Sequence, residues 1–325
     1  MTLQQMRYFL EVVRLGCNIT RAAQALSIAQ PSLSRQMQSL EREIGVDLFV
    51  RENKRLIGLS EPGEQVHRIA LRMVLDAERA RSVGAEFRQE HTGMLTIATT
   101  HTQARYALPA VVRAFSARYP NIALRLRQGT PTEAAQMVVD GTADLSIATA
   151  PPDPHPDLVF LPCYTLPRII LTPVGHPLMR YRPLTLKRLA GFPLITYDYS
   201  FSTHSKILET FARENLAPSV IINAIDADVI KTYVELGMGV AIVPSLAFDR
   251  QRDKGLRARD ASMLFQPSTI QIGLRRDGYL RSYTASFIEL FAPHLEKSIL
   301  PRALLDPQSI PMPGTLRAFK PLPKR

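Results

Sequence analysis

Apolar residues near the start of the chain recur at steps of three and four, which is typical of helices with one buried face. The pattern predicts a helix over residues 3–15, a second that ends at Ser27-Ile28-Ala29, and a third that opens at Gln30-Pro31-Ser32, where proline suits a first helical turn. Two helices joined by so tight a turn predict a helix-turn-helix. Their apolar positions are Ile19, Ala22, Ala23, Leu26, Leu33, Met37, Leu40 and Ile44.

The third predicted helix carries polar side chains on the side away from its apolar stripe. Amide, hydroxyl and guanidinium groups can read base edges or hold phosphates when the start of a helix enters the major groove of DNA. For an isolated helix pair, an ordinary solvated face is the alternative. The candidate DNA-binding residues of this helix are Gln30, Pro31, Ser32, Ser34, Arg35 and Gln38.

A hairpin is predicted after the third helix, from strand patterns over residues 46–51 and 56–59. The turn between the strands is basic, and Arg51, Lys54 and Arg55 are candidates for phosphate or minor-groove contacts. A basic surface turn without a function is the alternative. Residues 1–60 are therefore predicted to form a winged helix-turn-helix that binds double-stranded DNA.

A long helix is predicted over residues 61–89, because Ser60 can cap its start and Pro62 fits its first turn. Its apolar positions alternate at steps of four and three, and such a heptad seam indicates a partner helix. We expect a dimer through this linker, residues 61–92, which would read an interrupted inverted repeat. Packing of the seam on the chain's own body is the alternative. The seam consists of Val66, Ala70, Met73, Ala77, Ala80, Gly84 and Phe87.

Beyond residue 93, strand and helix patterns alternate, which predicts α/β architecture with parallel strands. We expect an effector domain of two Rossmann-like lobes, lobe I at residues 93–163 plus 267–296 and lobe II at 164–266. A cleft between such lobes can take a small ligand. The predicted strands cover residues 94–99, 122–128, 143–148, 168–172, 193–197, 220–224, 240–243 and 268–275, and the predicted helices cover 103–118, 132–140, 203–215, 227–236 and 280–290.

Composition narrows the class of protein. The chain has 325 residues, 46 % of them apolar, and a formal net charge of +11, which suits a polyanionic partner. Cys17 and Cys163 lie in different predicted domains, and the sequence shows neither a Cys/His metal spacing nor an apolar run of signal or membrane-spanning length. We therefore expect a cytoplasmic protein without a metal or a membrane partner. Residues 297–325 form a basic, proline-rich tail that we expect to be disordered.

Polar side chains stand where the first predicted strand of lobe I meets its helix. Free N–H groups and the positive end of the helix dipole join hydroxyl and amide donors there, an arrangement that binds anions without arginine. A helix of lobe II begins with polar donors in the same way, so donors of both lobes could bind one anion or carboxylate. Ordinary helix capping is the alternative. The candidate effector-binding residues are Thr100, Thr102, Gln103, Thr149, Ser202 and Thr203.

Several motifs resemble those of one bacterial family. Leu40-Glu41, Ile44-Gly45-Val46, Leu48-Phe49-Val50-Arg51 and Leu59-Ser60-Glu61-Pro62-Gly63 resemble the N-terminal signature of LysR-type transcriptional regulators. The CysB/Cbl branch of that family is similar at residues 99–109, 128–131, 161–164, 226–234, 280–283 and 291–295. The resemblance runs from the start of the chain to about residue 296.

The resemblance implies a regulator of cysteine biosynthesis or of sulfonate and sulfate-ester use. It also implies a periplasmic-binding-protein-like effector domain, a homotetramer, and RNA polymerase as a further partner. No cofactor is implied, but a small effector is, such as acetylserine, sulfate, thiosulfate or adenosine phosphosulfate. The implied anion site comprises Thr100, Thr102, Gln103, Thr149 and Ser202.

Two other classes of protein remain as alternatives. A cytosolic solute-binding or sensor protein would need only the α/β lobes, and the predicted DNA-binding head argues against it. An enzyme is disfavoured because the histidines are scattered, no G-x-S-x-G motif is present, and Asp226 and Asp228 more plausibly begin a helix.

Overall fold

The structure is a computed structural model that describes residues 1–52, 55–87, 92–276, 278–306 and 316. The side chains of residues 79, 82, 83, 85–87, 202 and 203 lie outside this description. The chain divides into two compact units, Met1–Glu90 with Asp140–Thr142, and His91–Val139 with Ala143–Arg325. Within the described residues, no helix combines the length and the apolar character needed to cross a membrane.

The first unit begins with the predicted helix-turn-helix. Its helices are α1 (Leu3–Arg14), α2 (Ile19–Ala25) and α3 (Gln30–Ile44). Gly45 ends α3 in the left-handed conformation at φ 86°, which glycine adopts without a steric penalty. The buried core contains Met6, Phe9, Val12, Ala22, Ala23, Leu33, Met37 and Leu40. The apolar spacing therefore predicted the packed faces correctly.

The wing is an antiparallel pair of strands, β1 (Phe49–Glu52) and β2 (Arg55–Leu59). The long helix α4 (Glu61–Phe87) follows, and the Ser60 hydroxyl accepts a hydrogen bond from the backbone N–H of Gly63 at 3.0 Å, as the sequence predicted. Residues 88–89 of the predicted helix lie outside the described residues.

The N-terminal part of the predicted dimer seam packs against the helix-turn-helix of the same chain. Ala70 is fully buried, and Val66 and Met73 pack against the helix-turn-helix core. For these positions the expected intermolecular seam is wrong, because α1 supplies the apolar partner. Further along α4, Ala80 and Gly84 are exposed, while the side chain of Phe87 lies outside the described part.

Lobe I of the second unit is built on a five-stranded sheet in the order β4-β3-β5-β12-β6. The strand β3 is parallel to β4 and β5, and β12 is antiparallel to β5 and β6. A core of Leu95, Ile97, Phe115, Phe287 and other apolar residues joins the sheet to its helices. The elements are β3 (Gly93–Thr99), β4 (Ile122–Gln128), β5 (Leu145–Thr149), β6 (Leu158–Leu166), β12 (Ser268–Arg275), α5 (Leu108–Arg118), α6 (Pro131–Val139), α10 (Ser282–Phe291) and α11 (Leu300–Leu305).

Lobe II has a second five-stranded sheet, in the order β11-β7-β10-β8-β9. The strands β10, β8 and β9 are parallel, and β7 is antiparallel to β10 and β11. Parallel strands with crossover helices confirm the predicted α/β class. The elements are β7 (Arg168–Pro173), β8 (Leu194–Tyr197), β9 (Val220–Ala224), β10 (Val240–Pro244), β11 (Leu256–Asp260), α7 (Leu186–Ala190), α8 (Ser202–Ala212) and α9 (Ala227–Glu235).

Among the α-helices and β-strands of the described residues, four were absent from the sequence prediction: β6, α7, β11 and α11. In β6, Pro162 interrupts the strand pattern but sits at a register shift against β12, where a proline is tolerated. The strand therefore continues in lobe I to Leu166, and the passage to lobe II comes after that residue rather than after Cys163. The edge strand β11 has the sequence LRARD, and its charged residues do not give the apolar pattern from which strands are predicted.

The beginning of the proline-rich tail is folded, which corrects the expectation of disorder for this part. Leu300 and Ala303 are fully buried and Leu304 is 7 % exposed, and all belong to the core of lobe I. The short helix α11 forms because its apolar residues recur on one face. Residues 307–315 and 317–325 of the predicted tail lie outside the described residues.

Candidate functional site

The polar face of α3 lies on the surface of the first unit. Gln30, Pro31, Arg35 and Gln38 are exposed, and Ser32 and Ser34 are half-buried. The apolar stripe on the opposite side fills the core, so the helix must present this face outward. The geometry leaves its donors and acceptors available to a double helix.

A groove of about 580 Å³ runs between the start of α3 and the wing. Gln30, Ser34, Gln38, Arg51 and Arg55 all line it, as the sequence analysis would require of a nucleic-acid surface. The groove also includes polar residues that the sequence analysis missed, because they lie on the preceding turn and helix rather than on α3. These are Asn18, Thr20 and Arg21.

Arg51 has a structural contact that its sequence position did not reveal. Its guanidinium donates to the buried carboxylate of Glu41 and forms a longer ion pair with Asp47, at 3.3 Å. Glu41 also accepts the backbone N–H groups of Leu48 at 2.9 Å and Phe49 at 3.3 Å. The bond to Glu41 raises the pKa of Arg51, and the cluster ties the wing to α3. Lys54 lies outside the described residues.

A small cavity in the second unit brings together most of the predicted effector residues. Thr100, Thr102 and Gln103 follow β3, Thr149 ends β5, and all four line the same space of about 30 Å³. Thr100, Thr102 and Gln103 are each less than 9 % exposed. The remaining lining residues come from both lobes and were not predicted. They are Leu166, Tyr197, Phe201, Pro244, Ser268 and Ile270.

Ser202 and Thr203 open α8 directly after Phe201, one of the residues that line the cavity. The side chains of Ser202 and Thr203 are outside the described part of the chain, so their predicted role stays a prediction. Gln103 begins a short π-helical turn, Gln103–Ala107, and such turns occur frequently at functional sites.

The polar groups of the cavity are neutral hydrogen-bonding groups. The Tyr164 hydroxyl donates to the Gln103 side-chain oxygen, which leaves the Gln103 amide NH₂ as a donor. The hydroxyl of Thr149 is buried without a hydrogen-bond partner among the described residues, and the buried hydroxyl of Tyr197 interacts with the Thr102 side chain. Burial raises the pKa of Tyr197 to about 12, so this hydroxyl keeps its proton at neutral pH. Buried donors without acceptors favour a ligand that is rich in acceptor oxygens.

A network of charged and polar side chains joins the lobes beside the cavity. Asp228, on α9 of lobe II, accepts hydrogen bonds from Tyr106 at 2.7 Å and pairs with Arg105 at 2.9 Å and His101 at 3.0 Å, all from lobe I. Lys231 approaches the same carboxylate at 3.1 Å. Thr102 and Gln103 lie on the same segment, residues 101–106, as the three lobe I residues that contact Asp228, so the network and the cavity share this part of the chain.

The network holds both of its central charges in their ionised forms. Burial opposes ionisation of Asp228, but hydrogen bonds from Tyr106, His101 and Lys231 outweigh it and lower the pKa of Asp228. Burial also opposes the charge of Lys231, but bonds to Tyr106 and Asp253 raise its pKa well above the ordinary value. The Asp228–Lys231 pair therefore stays charged across the neutral range.

One group of side chains has the composition of a metal site within the part of the chain that the structure describes. Potential ligand atoms of His101, Asp226 and Asp228 lie within 4.8 Å of one another. Asp226, however, caps α9 by accepting two backbone N–H groups, as its sequence position predicted, and Arg105 and Lys231 already neutralise Asp228. These cations would repel a metal ion, so the arrangement serves the network instead.

The comparisons with known proteins agree with this geometry. The family model described as "Bacterial regulatory helix-turn-helix protein, lysR family" matches residues 3–64, and "LysR substrate binding domain" matches residues 88–296. The HTH-type transcriptional regulator SsuR of Burkholderia cenocepacia is 48 % identical over 298 residues, which cover 92 % of this chain and 97 % of SsuR. CysB of the same organism is 43 % identical over 304 residues, covering 94 % of this chain and 97 % of CysB.

A solved structure of a transcriptional regulator also resembles part of this chain. The crystal structure of the cofactor-binding domain of the Cbl transcriptional regulator matches with a TM-score of 0.63 and 39 % identity, and covers 66 % of this chain and 94 % of that one. The matched relatives are transcriptional regulators rather than enzymes.

Proposed function

The chain belongs to the CysB/Cbl branch of the LysR family of transcriptional regulators, and from this premise we propose that it controls sulfur-metabolism genes in response to a small anion held between its lobes. The supporting observation is the convergence of Thr100, Thr102, Gln103 and Thr149 on one cavity lined by both lobes. The proposed target genes are those of cysteine biosynthesis or of sulfonate and sulfate-ester use.

Cavity size favours the smaller of the candidate effectors. A space of about 30 Å³ has room for only a few water-sized groups, and its walls offer hydroxyl and amide donors. We propose sulfate or thiosulfate as the effector, because acetylserine and adenosine phosphosulfate would require the lobes to separate. A tetrahedral anion can accept hydrogen bonds from donors on all sides of such a cavity.

Regulation requires that effector binding favour one arrangement of the lobes over another. Donors from lobe I reach the cavity from the turn that also carries His101, Arg105 and Tyr106. An anion that draws this turn toward Tyr197 and Phe201 of lobe II would therefore also strengthen the contacts to Asp228. We propose this closure as the event that changes the arrangement of the DNA-binding heads.

The DNA partner is proposed to be a promoter with an interrupted inverted repeat. The exposed Ala80 and Gly84 of α4 support pairing with a second copy through the distal part of that helix. We also propose that the protein is a cytoplasmic homotetramer that contacts RNA polymerase.

Calorimetry tests the effector site. Thr100→Val and Thr102→Val each replace a hydroxyl by a methyl group of similar volume and should weaken sulfate binding about tenfold, since each leaves an acceptor of the anion without a donor. Thr210→Val is the matched control, because Thr210 donates to Lys206 within α8. Unchanged sulfate, thiosulfate and acetylserine binding in both cavity variants would place the effector elsewhere.

Operator titrations test the DNA surface. Arg35→Ala and Gln30→Ala should each weaken specific binding by about 1–3 kcal/mol, and affinity should fall steeply with salt. Arg14→Ala is the control, because Arg14 is exposed on α1 and pairs with Glu11. If both α3 variants bound the operator like the unaltered protein, the assignment of α3 would be wrong. Effector binding by a protein without operator affinity would favour the sensor-only alternative.

A further inference from the structure

Arg168 is a buried cation at the point where the chain crosses between the lobes. It opens β7 of lobe II and is only 2 % exposed. Its Nη2 group donates to the hydroxyl of Ser268, which opens β12 where the chain returns to lobe I. The bond therefore joins the segments where the chain leaves lobe I and returns to it.

Ser268 connects this cation to the effector cavity, because Ser268 is one of the residues that line it. A guanidinium can only donate hydrogen bonds, so its bond to Ser268 occupies a lone pair of the hydroxyl oxygen. The hydroxyl hydrogen must then point to a different acceptor. Donation by a charged group also polarises the hydroxyl and strengthens its own donation. An acceptor in the cavity is favourably placed to receive it.

The charge of Arg168 acts on a second residue of the cavity wall. Burial raises the pKa of Tyr197, and the positive charge of Arg168 opposes that rise. Arg168 itself remains protonated at neutral pH, although burial lowers its pKa to about 10. Charges interact strongly where water is excluded, so the guanidinium influences what the cavity binds without touching it.

We propose that Arg168 is a positioning and specificity-determining residue of the effector site, which directs the Ser268 hydroxyl into the cavity and makes the cavity favour anions over ligands without net charge. This inference rests on the proposed function, in which the cavity holds a small anion. It adds a charge to a site whose visible donors are all neutral. Because Arg168 lies at the crossovers, it would stay beside the cavity in open and closed arrangements of the lobes.

A purely structural role of Arg168 would produce a different pattern of effects. If Arg168 only tied the crossovers together, its loss would lower stability and weaken all ligands equally. An electrostatic role predicts unequal losses, with the larger loss for the ligand of greater negative charge. Sulfate, a dianion, and acetylserine, a zwitterion near neutral pH, distinguish the two roles.

The experiment is calorimetry on the full chain with sulfate and with acetylserine. Arg168→Gln should weaken sulfate binding about tenfold or more, which corresponds to about 1.4 kcal/mol per factor of ten, and acetylserine binding less than about threefold. Arg168→Lys keeps the charge and should lie between Arg168→Gln and the unaltered protein. Arg259→Gln is the matched control, because Arg259 is a half-buried arginine of the same lobe that donates to the carbonyl of Leu178.

Variants of Ser268 keep Arg168 in place and test independently whether the Ser268 hydroxyl binds the anion. Ser268→Ala should weaken sulfate binding about tenfold, whereas Ser268→Thr retains the hydroxyl and should bind sulfate like the unaltered protein. Adding Arg168→Gln to Ser268→Ala should cost less than Arg168→Gln alone, since part of the effect passes through the hydroxyl. If Arg168→Gln does not fold, these serine variants and Arg168→Lys decide the question.

Sulfate affinities within about twofold of the unaltered protein in folded Arg168→Gln and Ser268→Ala would overturn the inference. Equal losses for sulfate and acetylserine would overturn it as well. The proposed function would survive either result if Thr100→Val still weakened sulfate binding. Insensitivity of sulfate binding to Thr100→Val and Thr102→Val would instead refute the proposed function and this inference together.

Discussion

Replacing Asp228 by asparagine removes the central charge of the network between the lobes and leaves the side-chain shape nearly unchanged. The carboxylate binds Tyr106 and Arg105 of lobe I and Lys231 of its own helix, at distances of 2.7, 2.9 and 3.1 Å. Asparagine can still accept one hydrogen bond, but its NH₂ group would face cationic donors. We expect the second unit to become less stable and its lobes to separate more readily.

The size of the effect follows from the exposure of each partner. Arg105 is half exposed, and such ion pairs contribute about 0–1 kcal/mol. Lys231 is only 11 % exposed, and breaking a buried pair costs about 3–5 kcal/mol, but Lys231 keeps Asp253 at 3.0 Å. We therefore expect a loss of about 2 kcal/mol, between the two limits. For a unit of this size that corresponds to a fall in Tm of about 4–8 °C.

Scanning calorimetry of the full chain measures this loss in the transition of the second unit. Asp260→Asn is the matched control, because Asp260 is an exposed aspartate of the same lobe that accepts hydrogen bonds from Ser262. Since the folded protein lowers the pKa of Asp228, its contribution is present above the unfolded pKa and is lost as pH falls through the folded pKa. The difference between Asp228→Asn and the unaltered protein should thus be complete at pH 7 and shrink below about pH 4.

Two results would refute this reasoning. One is a fall in Tm no larger than that of Asp260→Asn. The other is a difference that persists unchanged into acid, because a carboxylate that has become protonated no longer differs in charge from the amide.

Three further predictions concern single positions. Glu41→Gln should destabilise the first unit by about 1–3 kcal/mol in thermal unfolding, since it removes the buried charge that holds the wing, whereas exposed Glu43→Gln should change it little. Gly63→Ala should lower the Tm of the same unit markedly, because a Cβ there would lie 2.0 Å from the backbone oxygen of Leu48, and a Tm equal to that of the unaltered protein would contradict the close packing. Cys163 is buried and has a raised pKa, so a thiol reagent should modify it only after denaturation, and rapid reaction of the native protein would show that the strand opens.

Local patterns in the sequence were sufficient to predict several features of this protein. The helix-turn-helix, the outward polar face of α3 and the α/β class follow from apolar spacing, because neighbouring residues on one element share a face whatever the rest of the chain does. The turn at Thr100, Thr102 and Gln103 was also predicted, since strand ends and helix starts expose donors locally. The seam of α4 shows the limit of such patterns. Apolar spacing reveals that a face is buried but not which partner covers it.

Tertiary structure alone brought Tyr197 and Ser268 to the cavity and placed Arg168 against Ser268. These residues come from strands that are far apart in sequence, and nothing in their immediate neighbours distinguishes them from ordinary strand residues. The same holds for Asp228, which begins a helix as predicted but becomes the centre of a network only because the lobes meet there. Contacts between distant segments depend on how whole sheets pack, so the charge and hydrogen bonding of the site emerge only when the chain is folded.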